Sequence, residues 1–345
     1  MKALIAGLGS IGVRHLRNLH ALGLRDILAF RVRAEQVDEV ERFGVSAYYD
    51  LDQALDQRPD AVFVTNPTSA HLQVALAAAR RGCHLFIEKP LSHDLAGVDD
   101  LINIVRAKRL VAQVGCNFRF NPALRRVRTY LKERTVGRAV TVRAHAGEYL
   151  PDWHPGEEWR SGYSARRDLG GGVILTVIHE LDYLCWFFGE VTRVFAMAGA
   201  WSDLELEVED AAEILLEFAS GVCASIHLDY VQRPPARTLE VVAERGTIRW
   251  DFHTGRLALY SADTCQWSEW AGPTFERRND MYVDELRHFL DCVAGRSEPM
   301  VSLEEGKRVL EVALGAKRSS STGEFLRFKN VLAGASDGVT RTSLR

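Results

Sequence analysis

The segment from Asp168 to Gly189, DLGGGVILTVIHELDYLCWFFG, places ionisable side chains inside an otherwise apolar run. Thr176, His179, Asp182 or Tyr183, and Trp186 follow one another at three- and four-residue steps, so on one helix they share a stripe. Val173, Ile174, Val177, Ile178, Leu181, Leu184 and Phe188 cover the other sides, which predicts a buried helix. A buried histidine and aspartate without partners are costly, so the stripe should meet a hydrogen-bonding partner, a ligand or a cleft. The competing reading is a core histidine satisfied by its own aspartate. HELDY also approaches the HExxH pattern of zinc proteases, but Tyr183 stands where the second histidine belongs, and no metal site is predicted. Gly170 to Gly172, just before the helix, let the backbone turn tightly and approach another surface.

The elements that must position this stripe begin at the N-terminus. Lys2 to Ala6 is a short apolar run, Gly7-Leu8-Gly9-Ser10-Ile11-Gly12 follows at once, and Val13 to Leu22 continues with helical spacing. Strand, glycine turn and helix in that order make a dinucleotide site: the turn approaches a pyrophosphate closely and the helix start offers free N–H groups to it. Ile27 to Phe30, Val45 to Tyr49, Ala61 to Thr65, His84 to Glu88 and Val111 to Gly115 read as further strands with helical patterns between most of them. Such alternation predicts an α/β fold with a parallel sheet. Thr65-Asn66-Pro67-Thr68-Ser69-Ala70-His71 and Glu88-Lys89-Pro90 end two of these strands, where ligands bind in an open parallel sheet. The end of the second strand carries Arg31 and Arg33, with no acid between Ile27 and Ala34. An acid there would bind a bare ribose diol, whereas arginine suits a 2′-phosphate, so NADP is favoured over NAD. The alternative is two exposed arginines, with the ribose held by backbone.

With 345 residues, 47% hydrophobic and 26% charged, the chain has the material for a sizeable core. A net charge of -3 gives no basic footprint, so nucleic acid is not an expected partner. RRVR at Arg125 to Arg128 reads as a solvated helix face. The six cysteines are scattered without a CxxC pair, as small hydrophobes in a reducing compartment would be. No segment approaches the roughly 20 continuous apolar residues of a membrane span. A cytoplasmic location is expected.

GLGSIG, TNPTSAH, EKP, GCNFRF and GGGVILTVIHELDYL, in this order along nearly the whole chain, resemble the glucose-fructose oxidoreductase/inositol dehydrogenase (Gfo/Idh/MocA) family. The resemblance implies an N-terminal Rossmann dinucleotide-binding domain over 1–120 and a C-terminal α+β domain over 121–333. That second domain carries a large, open, mostly antiparallel sheet that supplies a substrate pocket and the contact of a homodimer or homotetramer. The residues agree: seven runs between Val140 and Tyr260 read as strands, several in direct succession as a meander, and 334–345 as a loose tail. Tyr282 to Leu290 and Leu303 to Leu314 read as amphipathic helices, and Leu150 to Asp168 as a loop over the site.

By the same resemblance, Lys89 and His179 stand beside the nicotinamide and the hydroxyl being oxidised. Burial and a positive nicotinamide ring would both lower the lysine's pKa towards useful acid/base work. Many members carry an aspartate one turn before the histidine; this chain has Thr176 there, which leaves Asp182 to orient His179 or to hold a substrate hydroxyl. Asn117, Arg119, Trp159, Arg160 and Tyr282 are the further candidates for the pocket. The expected activity is hydride transfer between nicotinamide and a hydroxyl or keto carbon of a sugar, inositol or nucleotide-sugar derivative. An NAD-dependent glycoside hydrolase on the same scaffold and a non-catalytic dinucleotide sensor are the alternatives.

Overall fold

The computed structural model describes residues 1–32, 38–153 and 158–328; Arg33 and the 334–345 tail lie outside them. Six strands form the first sheet: β1 (Ala3–Ala6), β2 (Ile27–Phe30), β3 (Ser46–Tyr48), β4 (Ala61–Val64), β5 (His84–Glu88) and β6 (Ala112–Gly115). Every pairing is parallel and the order is β3-β2-β1-β4-β5-β6. Both β1 and β4 are buried at all positions, as central strands covered by helices on two faces must be. The covering helices are α1 (Ser10–Ala21), α2 (Asp38–Arg42), α3 (Leu51–Asp56), α4 (His71–Arg80) and α5 (Val98–Lys108). Chain order reverses between β1 and β4, which opens a crevice at the carboxyl ends of these two strands.

Asn121 caps α6 (Pro122–Lys132) by accepting from the N–H groups of Ala123 and Leu124, and the chain passes into β7 (Ala139–Gly147). The predicted single buried helix is in fact two, α7 (Val173–Thr176) and α8 (His179–Phe188), and the helical segment Arg167–Thr176 that contains α7 meets α8 at a bend of 49°. Val177 leaves helical geometry with φ -101° and ψ 43°. Val173, Ile174, Thr176, Val177 and Ile178 are all β-branched, and such a run loses side-chain freedom in a helix. The stripe is broken with it: Thr176 lies on one helix and His179 opens the next.

Then follow β8 (Val191–Gly199), β9 (Ala211–Phe218), β10 (Cys223–Asp229), β11 (Ala236–Ala243), β12 (Gly246–Asp251), β13 (Arg256–Ser261) and β14 (Gln266–Ala271). Helices α9 (Asn279–Val293) and α10 (Leu303–Thr322) and a short β15 (Leu326–Arg327) come last. The second sheet is mixed and mostly antiparallel, in the order β14-β13-β12-β11-β7-β10-β9-β8-β15. The meander holds in two runs, β8 to β10 and β11 to β14, which β7 separates by entering between β11 and β10 and running parallel to β10. Ala212, Ile214, Leu216 and Phe218 of β9 face the buried helices, while Glu213, Leu215 and Glu217 between them point to the open face. A capping box at Ser302 and Glu305 starts α10. The α9 helix returns to the first sheet, where Phe289 packs edge-on against Phe63 and Phe86.

Candidate active site

The glycine turn between β1 and α1 accepts no side chain. A Cβ on Gly7, whose φ is +109°, would stand 2.5 Å from the Asn66 nitrogen, and one on Gly12 would stand 1.9 Å from the Gly7 oxygen. Gly9 caps α1 without a side chain, so the N–H groups of Ser10, Ile11 and Gly12 are left without a side-chain cap. Thr65 Oγ1 donates to the Gly7 oxygen at 2.7 Å and ties β4 to the turn. His71 sets its two ring nitrogens 2.9 Å from the carbonyl oxygens of Asn66 and Pro90, joining the loops after β4 and β5. Burial lowers its pKa, and a neutral ring carries one N–H, so it donates to one of the two at a time. Pro67 and Ser69 lie in the same loop, around a 3-10 turn over Thr68–Ala70. Arg31 follows β2 directly, its backbone N–H on the Tyr48 oxygen. The buried Asn66 Oδ1 has no partner among the described residues. A sterically bare turn, an open helix start and an unsatisfied polar atom fit a pyrophosphate-bearing dinucleotide.

At the ends of β5 and β7 lies a cleft of about 230 Å³. Lys89, Asn117, His179 and Tyr282 line it, which brings together four of the sequence-derived candidates. The Lys89–Pro90 peptide is cis. Lys89 Nζ donates to the Thr176 main-chain oxygen at 2.8 Å. Burial opposes the lysine's charge, but Tyr163, Glu88 and Tyr282 outweigh it and raise the pKa, contrary to the expected lowering. Glu88 is itself held below the usual carboxylate range: burial pushes it up, and a 2.6 Å contact with His15 Nε2 and nearby Lys89 bring it down. His179 moves oppositely to Lys89. Burial first, then Lys89 and Arg237, hold its pKa well below the ordinary value, and its buried Nδ1 has no partner. Its ring lies 4.7 Å from that of Phe118. The cleft therefore pairs an ammonium with a neutral imidazole, two groups whose protonation states are pushed apart.

Four other candidates lie elsewhere. Asp182 is completely buried and takes the Arg119 guanidinium on both oxygens, at 2.8 Å from Nη2 and 3.1 Å from Nε. Arg119 Nη1 goes to Glu305 at 2.9 Å and to the Met300 oxygen. These groups satisfy one another away from the cleft, so Asp182 neither orients His179 nor is placed to hold substrate, and Arg119 is part of the same internal pair. Trp159 packs on the hydrophobic core of the larger sheet with Arg160 stacked 4.2 Å from its ring, and neither lines the cleft. Among the described residues, the aromatic of this loop that does so is Trp153.

Sequence reasoning missed Arg237 and His253 in the cleft, and Glu180 behind it. Arg237 had a legible signal. In strand alternation it shares a face with Leu239 and Val241, both buried, so a cation stood on the inward side of a core strand. A second hollow, on the open face of the larger sheet, is roomier but lacks the Lys89–His179 pair. At its edge His145, His227 and Asp229 bring potential ligand atoms within 4.8 Å of one another. Here His145 contacts Gln232 at 2.5 Å, and His227 lies between Asp229 and Glu213 at 2.9 and 2.6 Å, its pKa raised to about 9.

Residues 1–116 match the oxidoreductase family with an NAD-binding Rossmann fold. With the glycine turn at the sheet's switch point, this makes the protein an oxidoreductase of the dinucleotide-binding class. Residues 124–249 match the GFO/IDH/MocA C-terminal domain, and the chain belongs to the Gfo/Idh/MocA family. It is 29% identical to the myo-inositol 2-dehydrogenase of Thermotoga maritima, over 96% of this chain and all of that one. It is 28% identical to the UDP-N-acetylglucosamine 3-dehydrogenase of Acidithiobacillus ferrooxidans, over 89% of this chain and 94% of that one. A crystal structure of a probable dehydrogenase from Thermotoga maritima superposes with a TM-score of 0.78 at 28% identity, over 95% of this chain and 99% of that one. Levoglucosan dehydrogenase in complex with NADH and levoglucosan shares the fold, with a TM-score of 0.84 at 19% identity, over 95% of this chain and 99% of that one.

Proposed function

We propose that this protein is an NAD(P)-dependent dehydrogenase or reductase acting on a CH–OH or C=O ring carbon of a sugar, cyclitol or nucleotide sugar. The observation that carries this reading is the Lys89 ammonium and the neutral His179 in one cleft, which Arg14 of the helix after the glycine turn also lines. The relatives' names, a cyclitol dehydrogenase and a nucleotide-sugar dehydrogenase, support the substrate class. Residues 1–120 would hold the dinucleotide through Gly7, Gly9, Ser10, Ile11, Gly12, the Thr65 to His71 loop with Asn66, Pro67 and Ser69, and Glu88. Residues 121–333 would supply most of the substrate side. When bound, the nicotinamide accepts or gives the hydride.

In the oxidising direction neutral His179 takes the hydroxyl proton. Lys89, steered by the Thr176 oxygen, donates a hydrogen bond to the same substrate oxygen and stabilises the charge that develops there. Asn117 and Tyr282 shape the pocket around the ring. Arg31, at the position where a ribose-binding acid usually stands, favours NADP(H). The test is spectrophotometric: purified protein with NADP+ or NAD+ and a panel of inositols, hexoses and UDP-sugars, followed by reduced-cofactor absorbance. Turnover on a member of the panel, lost in Lys89→Met, is expected. No reduced cofactor with any of them, and no reverse reaction with the corresponding ketones, overturns the reading.

A further inference from the structure

The cleft carries more cations than anions, and one of its cations is held without a well-directed acceptor. The Arg237 guanidinium lies 4.5 Å from the Phe118 ring centroid and 6.0 Å from that of Phe252. Its Nε stands 2.9 Å from Oε1 of Glu180, a carboxylate with no exposure, yet neither Nε nor either Glu180 oxygen has a well-aligned hydrogen bond. The charge is balanced from behind and the rings fix the plane. Its side chain is only 19% exposed and lines the cleft, and with Nε turned to Glu180 its two Nη groups make no hydrogen bond among the described residues. A guanidinium offers five N–H donors in a rigid fork, and withdrawing them from water without acceptors is costly.

A second cation stands nearby in the lining. Arg278 stacks 4.0 Å from the Phe275 ring, against which His253 also stacks at 5.0 Å. The acids of the lining are Glu148 and Asp229. Asp229 is already engaged: Oδ1 accepts the N–H groups of Val231 and Gln232, and Oδ2 faces His227. In the lining, Lys89, Arg14, Arg237 and Arg278 outnumber Glu148 and Asp229, and of the acids behind it Glu88 meets Lys89 and Glu180 meets Arg237, which leaves Arg14 and Arg278.

We infer that the substrate carries a carboxylate on its ring, bound bidentately by the Arg237 fork with Arg278 as a second cation, so that the enzyme's substrate class is the sugar acids. This rests on the reading of the cleft as the substrate site. A planar two-oxygen anion matches the fork.

The test is calorimetric titration of cofactor-loaded protein with matched acids and neutral sugars: glucuronate and glucose, galacturonate and galactose, mannuronate and mannose, with glucose 6-phosphate as a third arm. At least one acid is expected to bind tenfold or more tightly than its neutral partner. Arg237→Leu should abolish that difference and Arg237→Lys should keep part of it, with melting temperatures reporting that both variants are folded. Equal binding within every pair, no binding of any acid, or a preference that survives in folded Arg237→Leu overturns the inference. Tighter binding of the phosphate than of every acid also overturns it. Hydride transfer from neutral sugars with no preference for acids removes the carboxylate site and leaves the proposed activity standing. Acid binding lost in Arg237→Leu, with no hydride transfer across the panel, keeps the site and removes the activity.

Discussion

Lys89 Nζ donates to the main-chain oxygen of Thr176 at 2.8 Å, and it can do so because the helix that carries Thr176 ends there. In an unbroken helix that oxygen would accept from the N–H four residues on. With Val177 outside helical geometry the oxygen is released, and it fixes the lysine. The contact is to the backbone, so the residue type at 176 matters little to it. Lys89→Met should lower kcat/KM by about 10²–10⁴, whereas Thr176→Val should stay within about threefold of the parent by the same reasoning. Steady-state kinetics on the two variants check this; equal losses would show that the threonine hydroxyl takes part.

The opposed shifts of Lys89 and His179 predict a broad pH plateau. Burial holds His179 neutral to well below its ordinary 6.5, and Lys89 stays charged beyond its ordinary 10.5. Oxidation should therefore show no inflection near pH 6.5, its acid limb appearing only below that value. His179→Asn should cost about 10²–10⁴ in kcat/KM and remove the acid limb. A pH–rate profile with an inflection at 6.5 in the parent would assign the base elsewhere.

The Arg119–Asp182 pair makes a prediction about stability rather than turnover. Both side chains are almost without exposure, and removing Asp182 leaves the buried Arg119 charge to Glu305 alone. Asp182→Ala should destabilise the fold by about 3–5 kcal/mol. Denaturant unfolding measures the loss. A normally stable variant with a raised KM would return Asp182 to the substrate site.

His227 links the open sheet face to pH. Hydrogen bonds to Asp229 and Glu213, against some burial, raise its pKa from 6.5 to about 9. Because the folded value is the higher one, its contribution is complete below pH 6.5 and is lost as pH rises through about 9. The melting temperature of the parent should fall relative to that of His227→Gln between pH 7 and about 9.5. Parallel curves for the two proteins would show that the imidazole titrates normally.

Cofactor choice is tested at Arg31. Titrating NADPH and NADH separately should show NADPH bound at least about tenfold more tightly, and Arg31→Asp should reverse the order, because a carboxylate accepts from a ribose diol and repels a 2′-phosphate. NADH binding equally well to the parent would leave the ribose to backbone contacts.

What the sequence determined by itself is local and periodic. Alternation of apolar runs and helical patterns marked the parallel sheet within a residue or two of its strands, as β2 and β5 show. Gly7 and Gly12 announced the turn because their lack of a Cβ is a property of the residue and not of its neighbours. Lys89 and His179 were legible from motif order, and they do line one cleft. Tertiary structure decided what periodicity leaves open. The β-branched run could be read as a continuous helix until packing showed the bend at Val177. Asp182 looked available until Arg119, from a distant turn, closed on it. Arg237 gained its meaning only when β11 paired with β7 and set it beside Phe118 and Glu180. Charges find their partners across the fold, through burial and distance, and neither quantity is encoded in the spacing along the chain.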